Sequence, residues 1–160
     1  MKARVGVVTV SDRASLGVYE DRSGPEVVAF LRERWPEAEV LQRLVPDEVE
    51  AIQGAVLALL EEGCRLVLTT GGTGPAPRDV TPEALLPLLE KTLPGFGEAM
   101  RLASLRETPT AILSRQVAGT RGRSLVLSLP GSPRAIPTCL EAVWEAIPVA
   151  LRLLEDPPRC

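Results

Sequence analysis

A glycine-rich loop carries the residue types most able to do chemistry in this sequence. It reads Thr-Thr-Gly-Gly-Thr-Gly-Pro-Ala-Pro-Arg-Asp over residues 69–79, between a predicted strand and a predicted helix. Glycines in such a place leave backbone N–H groups free to converge on a phosphate or another anion. The loop lacks both the Gly-Lys-Ser/Thr of a Walker A motif and the third glycine of a dinucleotide fingerprint. A tight strand-to-helix turn is the alternative interpretation, but the added threonines, arginine and aspartate favour an anion site. The candidate binding residues are Thr70, Gly71, Gly72, Thr73 and Gly74.

Two aspartates lie where they could assist this loop. Asp79 ends it, and a carboxylate beside phosphate-binding amides repels the ligand unless a cation lies between them. Mg²⁺ prefers carboxylate and phosphate oxygens, so the sequence predicts Mg²⁺ at Asp79. Asp47 follows the second predicted strand, and Glu50 comes three residues later. From the residues alone, Asp47 is better explained as the N-cap of a helix than as a catalytic group.

Two further polar turns follow predicted strands. Ser11 and Asp12 come directly after the first strand, and Ser132 lies in a Pro-Gly-Ser-Pro turn after the last one. Serine, aspartate, glycine and proline are common in turns for local reasons, so each position alone favours an ordinary turn. Parallel strands, however, place their carboxyl ends at one edge of the sheet, and ligands of such folds bind there. We therefore expect these two turns and the glycine-rich loop to share one rim, which raises the case for function.

The elements that must position these residues alternate between strand and helix. The sequence predicts strands over residues 4–10, 40–45 and 66–70, a strand pair over 115–120 and 124–129, and helices that begin near residues 23, 47, 81, 97 and 135. This alternation predicts an α/β fold with a mostly parallel sheet and helices on both faces.

Three local signals predict where helices begin and end. Ser23 and Glu26 have the spacing of a capping box at a helix N-terminus. Thr81 is predicted to cap a helix that runs to about Lys91. The last helical region, over residues 135–155, is expected to be interrupted at Pro148, because proline lacks the N–H that a helix interior requires.

The composition limits which chemistry is possible. The 160 residues include no histidine, which removes the usual general base and every histidine-based zinc site. A net charge of −3 gives no general attraction to nucleic acid or anionic membranes, so any anion site must be local. Cys64, Cys139 and Cys160 lack metal-binding spacing and are predicted to be reduced thiols, the first two buried. No uncharged run approaches the ~20 residues of a bilayer span. We expect one cytoplasmic domain over residues 1–160.

Scattered arginines supply most of the positive charge in the second half of the chain. Almost no aromatic residues accompany them, whereas a nucleic-acid surface would need stacking platforms. One or two are expected to clamp phosphates and the rest to be solvated. They are Arg101, Arg106, Arg115, Arg121, Arg123 and Arg134.

Taken in chain order, these motifs resemble the MoaB/Mog family of molybdenum-cofactor biosynthesis proteins. The family signature is similar to the glycine-rich loop with Arg78-Asp79 and Thr81-Pro82-Glu83. The resemblance extends to residues 9–15, 44–48 and 129–133, and residues 94–101 and 109–117 are similar to the bacterial Mog-type adenylyltransferase branch. It therefore covers nearly the whole chain.

This resemblance implies a fold, a reaction and an assembly. The fold would be a three-layer α/β/α domain, commonly assembled as trimers. The reaction would be Mg²⁺-dependent transfer of AMP from ATP to the terminal phosphate of molybdopterin, with release of pyrophosphate. The two functionally critical aspartates of the family fall on Asp47 and Asp79, which gives Asp47 a catalytic and metal-binding role beside its possible role as a cap. The resemblance also implies transient contact with the molybdate-inserting enzyme that acts next. Further substrate contacts fall on Glu98, Ser104, Pro130, Gly131 and Ser132.

Three alternatives stay open at this point. The chain could be a non-catalytic molybdopterin-binding paralogue of the same family, and consumption of ATP would distinguish the two. It could be a nucleotide-binding oxidoreductase, although the dinucleotide fingerprint is missing. It could also be a structural or scaffolding module, which the lack of any linker or partner domain disfavours.

Overall fold

A mixed six-stranded sheet forms the centre of the computed structural model, which describes residues 2–155. The strands are β1 (Arg4–Val10), β2 (Glu39–Val45), β3 (Cys64–Thr70), β4 (Lys91–Thr92), β5 (Ala118–Arg121) and β6 (Ser124–Leu129). Their order across the sheet is β2-β1-β3-β6-β5-β4. The first four in this order are parallel, and β5 and β4 continue the sheet in antiparallel pairing.

Helices connect and cover the strands. They are α1 (Asp12–Ser15), α2 (Ser23–Arg34), α3 (Val49–Glu61), α4 (Thr81–Leu85), α5 (Pro94–Leu105), α6 (Ala135–Val143) and α7 (Ala146–Glu155), with 3₁₀ turns at Leu86–Leu88 and Pro109–Leu113. In the described part of the chain, none of them combines the length and apolar character that a membrane crossing requires.

Two apolar cores lie on opposite faces of the sheet, because side chains alternate along each strand. Val5 and Val7 of β1 point to one face, where they pack with residues of α2 and α6 such as Leu31 and Leu140. Val8 points to the other face, where the core includes Ile52, Val56 and Leu59 of α3 and Leu85 of α4. Each fully buried leucine or valine contributes about 1.5–3 kcal/mol. The predicted three-layer α/β/α fold with a mostly parallel sheet is confirmed.

Most of the predicted elements are confirmed within a few residues, but four details differ from the prediction. The sequence does not predict strand β4, since two exposed residues carry no strand pattern. The helix predicted to reach Lys91 ends at Leu85, because Pro87 has no N–H to donate to Glu83 and the chain continues as a 3₁₀ turn. Pro148 does not interrupt a helix: it lies in the first turn of α7, where N–H groups have no intrahelical partner. The break falls instead between Val143 and Ala146. Strand β5 begins at Ala118 rather than residue 115.

The predicted helix caps are wrong, and the side chains concerned do other things. Ser23 is the buried first residue of α2, and the Gly24 N–H donates to Asp21 Oδ1 instead (3.0 Å). Asp47 does not cap α3, whose N-cap is Glu48 with no side-chain bond. Thr81 does not cap α4; its hydroxyl donates to the carbonyl of Gly71 (2.9 Å).

Candidate active site

Three loops meet at the carboxyl edge of the parallel strands, as the sequence predicts. The Gly71 N–H donates to the carbonyl of Leu129 (3.1 Å), and the Thr70 hydroxyl donates to the carbonyl of Pro130 (2.7 Å). The Ser11 N–H donates to the carbonyl of Val45 at the end of β2 (2.9 Å). Together the loops enclose a polar cavity of about 230 Å³. Its lining includes Ser11, Asp47, Gly71, Gly72, Asp79 and Gly131.

The glycine-rich loop turns sharply where β3 ends. Gly71 and Gly72 have φ angles of +103° and +68°, a region that L side chains rarely adopt. A Cβ atom on Gly71 would lie 2.3 Å from the carbonyl oxygen of Val10, and one on Gly72 would lie 2.3 Å from the Thr81 hydroxyl. Within residues 2–155, the N–H groups of Gly72, Thr73 and Gly74 donate to no protein acceptor. The loop therefore offers backbone donors to an anionic ligand.

Asp12 and Asp47 hold the ends of β1 and β2 together by reciprocal hydrogen bonds. The Asp12 N–H donates to Asp47 Oδ2, and the Asp47 N–H donates to Asp12 Oδ1, both over 2.9 Å. Arg78 donates to Asp12 through Nε (2.9 Å) and Nη2 (2.8 Å). Both carboxylate oxygens of Asp12 are thus occupied, whereas Asp47 Oδ1 accepts no hydrogen bond from the described residues.

Asp79 lies against the glycine-rich loop. Its Oδ2 accepts a hydrogen bond from the Ala76 N–H (3.0 Å), and a Cβ atom on Gly74 would lie 2.7 Å from the same oxygen. Its Oδ1 accepts no hydrogen bond from residues 2–155. Asp79 is half-buried and lines the same cavity as Asp47. The two aspartates predicted to act together are therefore brought together.

The surroundings of Asp12 and Asp47 shift the pKa values of these two strand-end aspartates in opposite directions. Burial raises the pKa of Asp47 above its ordinary value; the Asp12 N–H opposes this shift, and the negative charges of Asp12 and Asp79 add to it. The hydrogen bond from Arg78 lowers the pKa of Asp12, as does the bond from the Asp47 N–H. The surroundings therefore favour the charged form of Asp12 and disfavour the charged form of Asp47.

The donor set fits a hard divalent cation that shares its coordination with a ligand. Among residues 2–155, no group of three or more histidine, cysteine, aspartate or glutamate side chains could hold a metal alone. Asp47 and Asp79 each keep one carboxylate oxygen that accepts no hydrogen bond from the described part of the chain. Mg²⁺ is usually bound by one or two carboxylates together with water and phosphate oxygens, so two such aspartates beside free N–H groups suit it.

A second cavity, of about 400 Å³, adjoins the first across the loop that follows β6. Pro130 and Ser132 line the second cavity, whereas Gly131 and Pro133 line the first. Ser104 of α5 lines it too, although its hydroxyl contacts Cys139 Sγ at 3.4 Å. Alternate residues of one loop thus face two adjacent cavities.

Some of the predicted site residues use their side chains elsewhere or line neither of these two cavities. The Ser11 hydroxyl accepts from the Ala14 N–H (3.1 Å), so it caps α1 while it borders the polar cavity. Thr73 is buried, and its hydroxyl lies 3.3 Å from that of Ser114. Glu98 is exposed on α5 and lines neither cavity.

Arg115 holds the far side of the glycine-rich loop. It donates to the carbonyls of Gly74 (3.0 Å) and Asp79 (2.9 Å) and forms an ion pair with Glu83. The hydrogen bond from Arg115 lowers the pKa of Glu83. Because Nε and both Nη atoms have protein partners, Arg115 is a structural anchor of this loop, neither a solvated arginine nor a free phosphate clamp. Arg101 lines the second cavity.

Tyr19, Asp21 and Arg22 are among the residues of the polar cavity that sequence reasoning did not single out. Asp21 accepts from the Thr9 hydroxyl (2.9 Å) and from the Gly24 N–H, which ties β1 to the start of α2. A signal was present, since an aspartate just before a helix is a preferred cap.

Buried Cys64 and Cys139 are as predicted, and burial raises the pKa of Cys64 to about 11. Cys160 lies outside the described residues.

Residues 6–149 match a protein family described as "Probable molybdopterin binding domain". The chain is 50% identical over 152 residues to a molybdopterin adenylyltransferase from Helicobacter pylori, covering 94% of this chain and 86% of that one. It is 46% identical over 168 residues to the molybdopterin adenylyltransferase from Escherichia coli K12, covering 96% and 86%.

Solved structures with the same fold support this similarity. The molybdopterin biosynthesis enzyme MoaB from Thermus thermophilus superposes with a TM-score of 0.86 at 47% identity, covering 95% of this chain and 96% of that one. The tungsten cofactor synthesizing protein MoaB from Pyrococcus furiosus superposes with a TM-score of 0.87 at 35% identity, covering 97% and 98%.

Proposed function

Because the chain belongs to the family of molybdopterin-binding domains, we propose that it is a molybdopterin adenylyltransferase. The observation that carries the proposal is the polar cavity lined by Asp47, Asp79 and Gly72, at a turn where three successive N–H groups donate to no acceptor among residues 2–155. Such a cavity suits the meeting of two phosphorylated molecules. The proposed substrates are molybdopterin and ATP, and the proposed metal is Mg²⁺.

The reaction requires that the two substrates be positioned next to each other, and it does not require a side chain that acts as a base. A phosphate oxygen of molybdopterin attacks the α-phosphorus of ATP, the bond from that phosphorus to the bridging oxygen breaks, and pyrophosphate leaves. A phosphate monoester is largely ionised at neutral pH, so no residue has to remove a proton from it. A chain without histidine can therefore carry out this transfer.

The residues of the cavity have separate tasks in this scheme. The N–H groups of Gly72, Thr73 and Gly74 bind phosphate oxygens and hold them in place. Asp47 and Asp79 would hold Mg²⁺ through their free oxygens. When bound, the metal neutralises phosphate charge and stabilises the charge that develops on the departing pyrophosphate. The second cavity, across the loop after β6, provides room for a heterocycle of one substrate.

The assembly and location that we propose follow from family membership. We propose a homotrimer that works in the cytoplasm and contacts the molybdate-inserting enzyme transiently. Reduced, buried Cys64 and Cys139 suit a reducing compartment.

A non-catalytic molybdopterin-binding paralogue is the second candidate function. It would keep the cavity but would not need paired carboxylates with free oxygens. The presence of both Asp47 and Asp79 in this arrangement favours the enzyme, because an uncompensated carboxylate pair only weakens the binding of an anion.

The test is AMP transfer by purified protein with molybdopterin, ATP and Mg²⁺. We expect Asp79→Asn to lower kcat at least about 100-fold, because it removes a ligand that acts where charge develops. Asn can still accept the bond from the Ala76 N–H, so the fold and the KM for molybdopterin should be retained. Glu145→Gln, which removes an exposed carboxylate between α6 and α7, is the control. Transfer by Asp79→Asn at the wild-type rate would exclude the metal role, and wild-type protein that consumes no ATP would support the paralogue.

A further inference from the structure

Arg78 joins the two halves of the polar cavity. It is the chain neighbour of Asp79, and its guanidinium binds Asp12 at the end of β1 through two hydrogen bonds. Asp12 in turn accepts from the Asp47 N–H and donates its own N–H to the Asp47 carboxylate. A continuous series of bonds therefore runs from the loop that carries Asp79, through Arg78 and Asp12, to both the backbone and the side chain of Asp47.

We propose that Arg78 is a positioning residue that sets the separation between the carboxylates of Asp47 and Asp79, acting through Asp12. This inference rests on the proposed function, because the separation matters for a metal and phosphates held between the two groups. It assigns Arg78 a role in geometry and no direct contact with the reacting atoms.

The contacts of Gly71 with Val10 and Leu129 hold only the start of the loop, so residues 75–79 need a separate link to the strand ends. Residues 75–78 are exposed, and like charges on Asp47 and Asp79 repel each other across the cavity. Arg115 anchors the other side of the loop, but its side-chain partners are Gly74, Asp79 and Glu83, and none of them forms a hydrogen bond with Asp47 among the described residues. Among residues 2–155, Arg78 provides the side-chain bridge between the Asp79 loop and the ends of β1 and β2.

The ion pair between Arg78 and Asp12 contributes too little to stability for that to be its main role. The Arg78 side chain is 62% exposed, and exposed pairs contribute little to the free energy of unfolding. The bidentate arrangement instead fixes direction, since a planar guanidinium binds both oxygens of one carboxylate. Lysine keeps the positive charge but cannot bind both carboxylate oxygens in this planar arrangement. Arg78→Lys therefore tests the effect of the geometry while the charge is retained.

The first test is a double-variant cycle on AMP transfer. We expect Arg78→Gln to lower kcat about 10- to 100-fold with little change in the KM for ATP, because small displacements of catalytic groups have effects of this size. Arg78→Lys should recover only part of the loss. If Arg78 acts through Asp12, the double variant Arg78→Gln/Asp12→Asn should lose no more than the worse single variant. Arg32→Gln, on the exposed face of α2, is the matched control for loss of one positive charge.

A different outcome identifies a direct phosphate contact. In that case Arg78→Gln raises the KM for ATP, and its effect multiplies with that of Asp12→Asn. Either result overturns the positioning role.

The second test does not require turnover. Mn²⁺ binding in the presence of ATP and absence of molybdopterin, followed by electron paramagnetic resonance, should weaken about tenfold in Arg78→Gln and stay unchanged in Arg32→Gln. A crystal structure of Arg78→Gln should show an altered distance between the carboxylates of Asp47 and Asp79. An unchanged distance overturns the role of Arg78 whatever the activity. Wild-type protein that forms no adenylyl-molybdopterin overturns the proposed function instead, so the two failures are distinguishable.

Discussion

Asp47 meets two opposing demands at the scale of a single residue. One oxygen binds the Asp12 N–H, which favours the charged form, while burial and the nearby charges of Asp12 and Asp79 favour the neutral form. The disfavouring effects are larger, so its pKa is raised above 3.8. A carboxylate kept charged under such conditions lowers the stability of a protein without a cation and favours the binding of a cation beside it.

The stability of the metal-free protein should reveal this conflict. A raised pKa means that the folded state holds the Asp47 proton more tightly than the unfolded state does. The contribution of Asp47 to stability is therefore lost as pH rises above its ordinary pKa. Asp47→Asn keeps the acceptor for the Asp12 N–H but carries no charge, so it should gain stability relative to wild type between about pH 4 and pH 7. Urea unfolding with EDTA over this range measures the difference, and a constant difference would contradict the prediction.

The predicted caps show what sequence does and does not determine about single residues. Asp47 and Thr81 have the types and spacing of helix caps, yet Asp47 binds the N–H of Asp12 and Thr81 binds the carbonyl of Gly71. Local sequence cannot report that a distant strand end presents a competing partner. For the same reason the sequence does not show what Arg78 and Arg115 bind, since their partners lie 66 and 32–41 residues away along the chain.

At the scale of elements, the site depends on how closely the ends of β1 and β3 approach. Gly71 packs against the Val10 carbonyl. It also packs against Gly131 in the loop after β6, where an added Cβ would lie 3.2 Å from the Gly71 Cα. The sequence predicts that the loops after β1 and β3 share one edge of the sheet, because short apolar runs are typical of buried parallel strands. It does not predict how closely Gly71 approaches Val10. The short edge strand β4 could not be predicted, since its pairing with β5 depends on the sheet rather than on its own two residues.

A pair of glycine substitutions tests this dependence. Gly71→Ala should lower the free energy of unfolding by at least about 1–3 kcal/mol from its positive φ alone, and the contact with Val10 adds to that loss. Gly54→Ala is the matched control: Gly54 lies in α3 with nothing within 4 Å of an added Cβ, so alanine should raise the free energy by about 0.5–1 kcal/mol. Chemical denaturation measures both, and equal effects of the two substitutions would show that the approach of the strand ends is not tight.

At the scale of the whole molecule, a net charge of −3 coexists with the proposed site for anionic substrates. In the proposed function the attraction is local, from backbone N–H groups and the proposed Mg²⁺, rather than from the overall field. The outer surface carries a different signal. Exposed apolar side chains occur on α5 and on the 3₁₀ turn that packs against it, namely Leu102, Leu105, Ile112 and Leu113, of which Leu102 and Ile112 are 64% and 68% exposed.

We expect these residues to lie between protomers of the proposed homotrimer. Burial of each in an interface would contribute about 1.5–3 kcal/mol, whereas burial of an unpaired charge there is strongly unfavourable. Leu102→Glu/Ile112→Glu should therefore convert the assembly to monomers of 17.2 kDa, measured by light scattering. Leu153→Glu, on the exposed face of α7 where Leu153 is 63% exposed, tests whether any added charge has this effect. A double variant that keeps the mass of wild type would place the interface elsewhere, and a monomeric wild type would exclude the trimer. Because the polar cavity is built from loops of one protomer, the dissociated variant should still bind Mn²⁺ and ATP.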